Sequence, residues 1–291
     1  MSENNLEKFE KRRLEVGSPQ YIARLIYAET LRALSLGFKK AITVKAETFW
    51  GEKMIVLAPE EVSLKLLRYS FYEEGLTRIL LEYLKSGMVF FDIGAHFGYY
   101  TLLAGKIVGS GGEVHSFEPT PSTYEILLRN VKDRNNVHAN NLAVFSEDKD
   151  ITFYDYGLRF SAFNSHYAGR LPEGTTKKLK PRKFNIKATS IDEYVSTKGI
   201  VPDFIKIDAE SAEYEILKGM DRTLKEVKPV ISIEAGDEDV DGVMGSRDLI
   251  GYIMEKGYEP YEFDGTNIIK HQPEDRYRYK NIVFVPIKNT Q

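Results

Sequence analysis

From residue 87 to the end of the chain, short apolar runs alternate with stretches of helical period, the mark of βαβ units feeding a largely parallel sheet. Strands are predicted at 88–93, 113–117, 137–144, 150–154, 184–189, 204–208, 230–234, 258–263 and 282–286. Helices are predicted at 101–108, 124–131, 191–195, 212–220 and 249–255. Thr120-Pro121 starts the second of these, with Ser122 and Glu125 as its capping pair. Ahead of residue 87 the texture differs. Residues 1–17 are polar and predicted to fray. Ser18-Pro19 then opens an amphipathic helix through Tyr21, Ile22, Leu25, Ile26 and Leu34 that Gly37 stops. Residues 41–48 and 54–57, rich in β-branched side chains, suggest a hairpin, and 60–84 reads as mostly helical. The chain thus divides into an N-terminal helix and hairpin extension, 1–85, with no evident chemistry, and an α/β domain over 86–291. One long irregular insertion, 155–182, interrupts the second part, with an aromatic half (Tyr156, Phe160, Phe163, His166, Tyr167) and a Lys-rich half at 177–183.

Composition changes the picture mainly by exclusion. Lys+Arg 40 against Asp+Glu 43 leaves a net charge of −3, so there is no overall basic excess for general nucleic-acid binding. Apolar residues at 42% and charged residues at 29% describe an ordinary globular chain with enough apolar material for a sizeable core. With no cysteine, disulfides, thiolate nucleophiles and Cys-ligated metals are all removed. The histidines His96, His115, His138, His166 and His271 are scattered without metal-binding spacing, so no metal is expected. Neither an N-terminal apolar h-region nor a run of about 20 apolar residues is present, and a cytoplasmic protein without a membrane span is expected.

The strongest chemical signal is Phe91-Asp92-Ile93-Gly94-Ala95-His96-Phe97-Gly98-Tyr99-Tyr100-Thr101. An apolar strand ends in an acid, turns on two glycines and opens a helix whose unpaired amides face the strand's carboxyl end. A dinucleotide fingerprint needs G-x-G-x-x-G, but His96 stands at the middle glycine, and no Gly-Lys-Ser follows to make a P-loop. The spacing suits S-adenosylmethionine, whose amino-acid end carries a carboxylate and an ammonium group. Glu118 ends the second strand, where a carboxylate can accept from both ribose hydroxyls. An acid there repels a 2′-phosphate and so disfavours NADP, while NAD and S-adenosylmethionine both stay open. In the strand from Phe204 to Asp208, a period of two puts Lys206 and Asp208 on one face, as a structural ion pair or as groups serving a substrate.

These segments, Asp92 to Gly98, then Phe117-Glu118-Pro119, then Asp203 to Glu210 with Ala212-Glu213 and Leu217-Lys218-Gly219-Met220, together resemble the FkbM family of S-adenosylmethionine-dependent methyltransferases. The resemblance covers about residues 87–240. It departs at Ser211, where the family usually has Gly. It implies a Rossmann-like, seven-stranded class I methyltransferase sheet of order 3-2-1-4-5-7-6, its last strand antiparallel, with helices on both faces. It also implies S-adenosylmethionine as cofactor and methyl transfer to a hydroxyl of a sugar, polyketide or other secondary metabolite. Carried onto this chain, the cofactor-binding candidates are Asp92, Gly94, Ala95, His96, Gly98, Tyr99, Glu118, Asn141 and Asp208. The catalytic candidates are Asp208 as proton acceptor or substrate orienter, Lys206 as its partner or as a base neutralised by desolvation, and Glu234. His166 is a candidate base on the insertion. The aromatic segment 154–167 is read as a lid over the acceptor, with a packing flap or a homodimer contact as alternatives. Two other classes compete: a non-catalytic S-adenosylmethionine-binding protein and an NAD-dependent oxidoreductase.

Overall fold

A computed structural model describes residues 4–167, 180–237 and 242–287. The chain begins with helices α1 (Asn5–Leu14) and α2 (Pro19–Phe38). α1 corrects the expectation of a frayed lead-in. Asn4 and Glu7 form a reciprocal capping box with bonds of 3.0 and 2.9 Å, and Phe9 is fully buried against the edges of Phe49 and Phe71. One buried phenylalanine contributes about 1.5–3 kcal/mol, enough to help dock a short helix whose other apolar residues are only Leu6 and Leu14. A two-stranded antiparallel hairpin follows, β1 (Ile42–Glu47) and β2 (Lys53–Ala58), as expected. The predicted single helical stretch divides into α3 (Glu61–Tyr69) and α4 (Glu74–Tyr83), because Ser70 (φ 65°) and Glu73 (φ 38°) turn the chain through left-handed backbone between them.

The α/β part runs β3 (Val89–Ile93), α5 (Tyr99–Val108), β4 (Glu113–Phe117), α6 (Pro121–Val131) and β5 (Val137–Asn140). It continues through β6 (Ala143–Val144), β7 (Lys149–Asp155), β8 (Arg182–Thr189), α7 (Ile191–Lys198), β9 (Phe204–Ile207) and α8 (Glu213–Lys218). It ends with β10 (Val230–Ala235), α9 (Ser246–Glu255), β11 (Tyr258–Phe263), β12 (Ile268–Lys270) and β13 (Lys280–Pro286). The main sheet has the order β12-β11-β13-β10-β9-β3-β4-β5. Strands β10, β9, β3, β4 and β5 are parallel, and β13 is antiparallel to β10. Without β12 this is the 3-2-1-4-5-7-6 order. The expected seven strands become eight because Asp264 accepts the Thr266 and Asn267 amides at 2.8 and 2.7 Å, folding β12 back on β11 as a hairpin.

The predicted strand 137–144 also divides. β5 stays in the main sheet, while β6 leaves it and pairs with β8, which with β7 forms a second, three-stranded sheet. The aromatic half of the insertion forms a 3-10 turn at Leu158–Phe163 and bridges back to Tyr154 through Ser165. Of the Lys-rich half, 177–179 lie outside the described residues, and Arg182 and Lys183 open β8.

Packing on the main sheet is two-sided, as alternation along buried strands requires. Phe90 and Phe204 join α5 and α6 and the N-terminal elements on one face, where Phe9, Trp50, Met54 and Leu80 share a continuous core with Leu102, Leu103 and Leu127. Phe91, Ile205, Ile207 and Ile233 face the other side with Tyr194, Leu217 and Ile253. Asp92 and Lys206, each two residues on from Phe90 and Phe204 and paired in register, therefore lie on the face that the extension covers. No described helix is long and apolar enough to cross a membrane.

Candidate active site

The turn after β3 is fixed by contact between backbones. Gly94 has φ 72°, and a Cβ there would lie 1.8 Å from the Asp208 carbonyl oxygen, so the ends of β3 and β9 can meet only through glycine. Gly98 (φ 91°) is closed against Leu127, whose Cδ1 a Cβ would approach to 2.6 Å. The Gly94 and Ala95 amides both donate to the Phe117 carbonyl at 3.0 Å, tying the turn to β4. The Leu102 amide closes the first helical bond of α5 onto the Gly98 carbonyl at 2.9 Å, so the amides ahead of it open over the strand ends.

These strand ends floor a cavity of about 720 Å³, within the roughly 300–1,000 Å³ typical of small-molecule sites. Of the residues expected to hold the cofactor, Gly94, Ala95, His96, Tyr99, Glu118 and Asp208 line it; Asp92, Gly98 and Asn141 lie behind its wall. Asp92 is fully buried, accepting from the Thr101 hydroxyl at 2.6 Å and facing Lys206 Nζ at 3.2 Å, so its carboxylate anchors α5 and the lysine. Asn141 spends its amide on the Glu118 and Pro119 carbonyls at 2.8 and 3.1 Å, shaping the loop beneath Glu118. Tyr99 turns its hydroxyl to Thr77 Oγ1 at 3.0 Å and its ring to Trp50, which places its phenol in the core shared with the extension.

Glu118 is buried. Its two oxygens accept the His96 and Thr120 amides at 3.0 and 2.9 Å. Burial raises its pKa to about 7 in spite of those hydrogen bonds. His96, itself at φ 50°, meets Ser161 Oγ at 2.8 Å, and burial pushes its pKa down to about 3, so the ring is neutral and joins the cofactor turn to the insertion. Ser165 makes a second link, donating to the Glu210 carbonyl at 2.7 Å. Glu210 (φ 54°) and Ser211 (φ 80°) both occupy left-handed backbone, so Ser211 keeps a conformation better suited to glycine.

Lys206 is the electrostatic centre. Its Nζ donates to the Gly94 and Ile93 carbonyls at 2.9 and 3.3 Å, lies 3.2 Å from Asp92 and 3.4 Å from Asp208, and faces the Tyr100 ring at 5.4 Å. Burial alone would discharge it, but the carboxylates of Asp92, Asp208 and Glu73 outweigh that and hold its pKa above the ordinary lysine value. Of the two readings of Lys206, the pairing with Asp208 is the one present, and the neighbouring carboxylates favour its ammonium form. Glu234, at the end of β10, lines the same cavity. Burial first and then the Asp208 and Glu73 charges drive its pKa well up.

Sequence reading missed Glu73. It sits at the left-handed corner before α4, lines the cavity and accepts from the Tyr100 hydroxyl at 2.7 Å. Burial and Asp208 raise its pKa. Before folding it reads only as an acid ahead of a helix. Tyr72, Lys65, Tyr279 and Asn281 also join the wall from elements that carried no motif. His166 lines it too, bonding the Thr152 carbonyl through Nδ1 at 2.8 Å.

The model of the methyltransferase FkbM domain family matches residues 92–260. The chain belongs to this family. Among curated relatives, the hexuronic acid methyltransferase AglP of Haloferax volcanii is 30% identical over 168 residues, covering 56% of this chain and 63% of that protein. The 31-O-demethyl-FK506 methyltransferase FkbM of Streptomyces tacrolimicus is 27% identical over 185 residues, covering 56% of this chain and 70% of that protein. The match thus spans less than two thirds of the first relative's length. Among solved structures, methyltransferase FkbM from Methylobacillus flagellatus KT aligns with TM-score 0.43 and 20% identity, over 68% of this chain and 44% of that one. S-adenosylmethionine is the cofactor of the FkbM family, and the donor set fits it. The buried Glu118 carboxylate, the start of α5 and the Gly94 turn, which has no room for a side chain, all border the cavity.

Proposed function

We propose that the chain methylates a hydroxyl oxygen of a sugar or sugar-bearing metabolite. The name of the hexuronic acid methyltransferase relative supports a carbohydrate acceptor. S-adenosylmethionine supplies an electrophilic methyl on a sulfonium. The observation that carries the reading is Asp208: its side chain is 24% exposed, opens into the cavity, and is held 3.4 Å from the buried Lys206 ammonium directly beside the glycine turn. From there it can orient an acceptor hydroxyl and take its proton, while Lys206 fixes its position. Glu118 holds the cofactor end, and Glu234, one strand over from Asp208, faces the acceptor. His96, Ser161 and the segment 154–165 roof the cofactor turn and keep water from it.

The test is a methyl-transfer assay over uronic acids, neutral sugars and metabolite hydroxyls, with and without a chelator, beside cofactor binding by calorimetry. Asp208→Asn is expected to lower kcat at least about 100-fold, within the range of a general base, with cofactor affinity within a few fold of wild type. Undiminished turnover in Asp208→Asn overturns the assignment.

A further inference from the structure

At the opposite end of β4 from Glu118, three side chains converge that the methyl-transfer site does not use. His115 of β4 pairs in register with His138 of β5, and Glu113 lies two residues before His115 on the same face. The rings of His115 and His138 stack at 4.7 Å with 22° between their planes. Both Nε2 atoms turn to one carboxylate oxygen: Glu113 Oε2 lies 3.0 Å from His115 Nε2 and 3.7 Å from His138 Nε2. One ligand atom from each of the three residues lies within 4.8 Å of the other two.

Zinc bonds nitrogen and oxygen at roughly 2.0–2.2 Å, which in a tetrahedral site puts neighbouring ligand atoms about 3.3–3.5 Å apart. The two separations bracket that spacing. An outer partner is also in place: His115 is buried, and its Nδ1 meets the Tyr194 hydroxyl at 2.9 Å, which also accepts from Asn140 Nδ2 at 3.2 Å. With Nδ1 donating to Tyr194, a metal can take the place of the 3.0 Å hydrogen bond between Nε2 and Glu113, the arrangement that ligating histidines show. Glu113 and His138 are half-exposed, which leaves an entry path and a fourth position for water.

We infer a divalent transition-metal site of the zinc class at Glu113, His115 and His138, bridging the edge strand β5 to β4. Two imidazoles and one carboxylate suit Zn²⁺ over Mg²⁺ or Ca²⁺, which take all-oxygen ligands. Among the described residues, Glu262, His271 and Glu274 form a second cluster of similar spacing. There the Lys280 ammonium already lies between the acids, 2.8 Å from Glu262 and 2.5 Å from Glu274, so that cluster holds its own cation.

The test titrates the chelator-treated full chain with Zn²⁺ by calorimetry and with Co²⁺ by visible absorption. Expected are one saturable Zn²⁺ per chain, a ligand-field band with Co²⁺, and at least tenfold weaker binding in both His138→Ala and Glu113→Gln. Both replaced side chains are half-exposed, so the fold is retained, and cofactor affinity is expected to be unchanged. Absence of saturable binding, or wild-type affinity in either variant, overturns the site.

Discussion

At Glu118 burial and hydrogen bonding oppose each other, and burial prevails: the carboxyl titrates near 7 instead of its ordinary 4.5. Two consequences follow with definite sign. The native chain holds this proton more tightly than the unfolded chain, so the group's stabilising contribution is full below about 4.5 and is lost as pH rises through about 7. Ribose hydroxyls need the ionised form as acceptor, so cofactor affinity should rise with pH. Between pH 6 and pH 8 an increase of about tenfold is expected, flattening above 7, since one unit below a pKa leaves about a tenth of the group ionised. Calorimetry at pH 6, 7 and 8 reads this directly, and Glu118→Gln should bind more weakly with no slope. A flat wild-type profile would show that Glu118 does not receive the ribose. The paired charges behave differently: Lys206 stays an ammonium because Asp92 lies behind it and Asp208 in front.

Among the elements, α1 shows how little sequence signal a docked helix needs. Its charged residues give no continuous apolar stripe; Phe9 is its one buried side chain, Glu10 and Arg13 add ion pairs to Arg78 and Glu74, and the Asn4–Glu7 box orders its start. Phe9→Ala should cost about 3–5 kcal/mol, the usual range for emptying a buried phenylalanine site. Chemical denaturation would show it as a lower midpoint at unchanged slope, and a loss below about 1 kcal/mol would mean that α1 is not integral to the fold. The split of 137–144 has a similar cause. Val137 to Val144 reads as one strand region, and the Asn140-Asn141 step at which the chain changes sheets is set by side chains below it: Asn140 Nδ2 bonds the Ser116 carbonyl at 3.2 Å and Asn141 holds Glu118 and Pro119. Period alone cannot tell one bent strand from two.

For the whole molecule, the extension and the α/β part share one core and one cavity wall. Glu73 crosses from the first into the second, bonded to Tyr100 and close enough to Asp208 and Lys206 to feel both charges. Glu73→Gln keeps the hydrogen bond and removes the charge. It is expected to raise the acceptor KM or lower kcat about tenfold while cofactor affinity holds. A cofactor affinity that falls with turnover unchanged would place Glu73 on the cofactor side instead.

Period, backbone freedom and strand parity are local matters, so the alternation that makes a doubly wound sheet, the glycine turn after β3, the acid ending β4 and the Lys206–Asp208 face can all be read along the chain. That Asp92 pairs with Lys206 behind the cavity wall, that Glu73 lines the cavity, and that Glu113, His115 and His138 meet emerges only from the folded arrangement. Those facts depend on strand neighbours and on helices packed across the sheet, and contacts between residues far apart in the chain leave no period in the sequence.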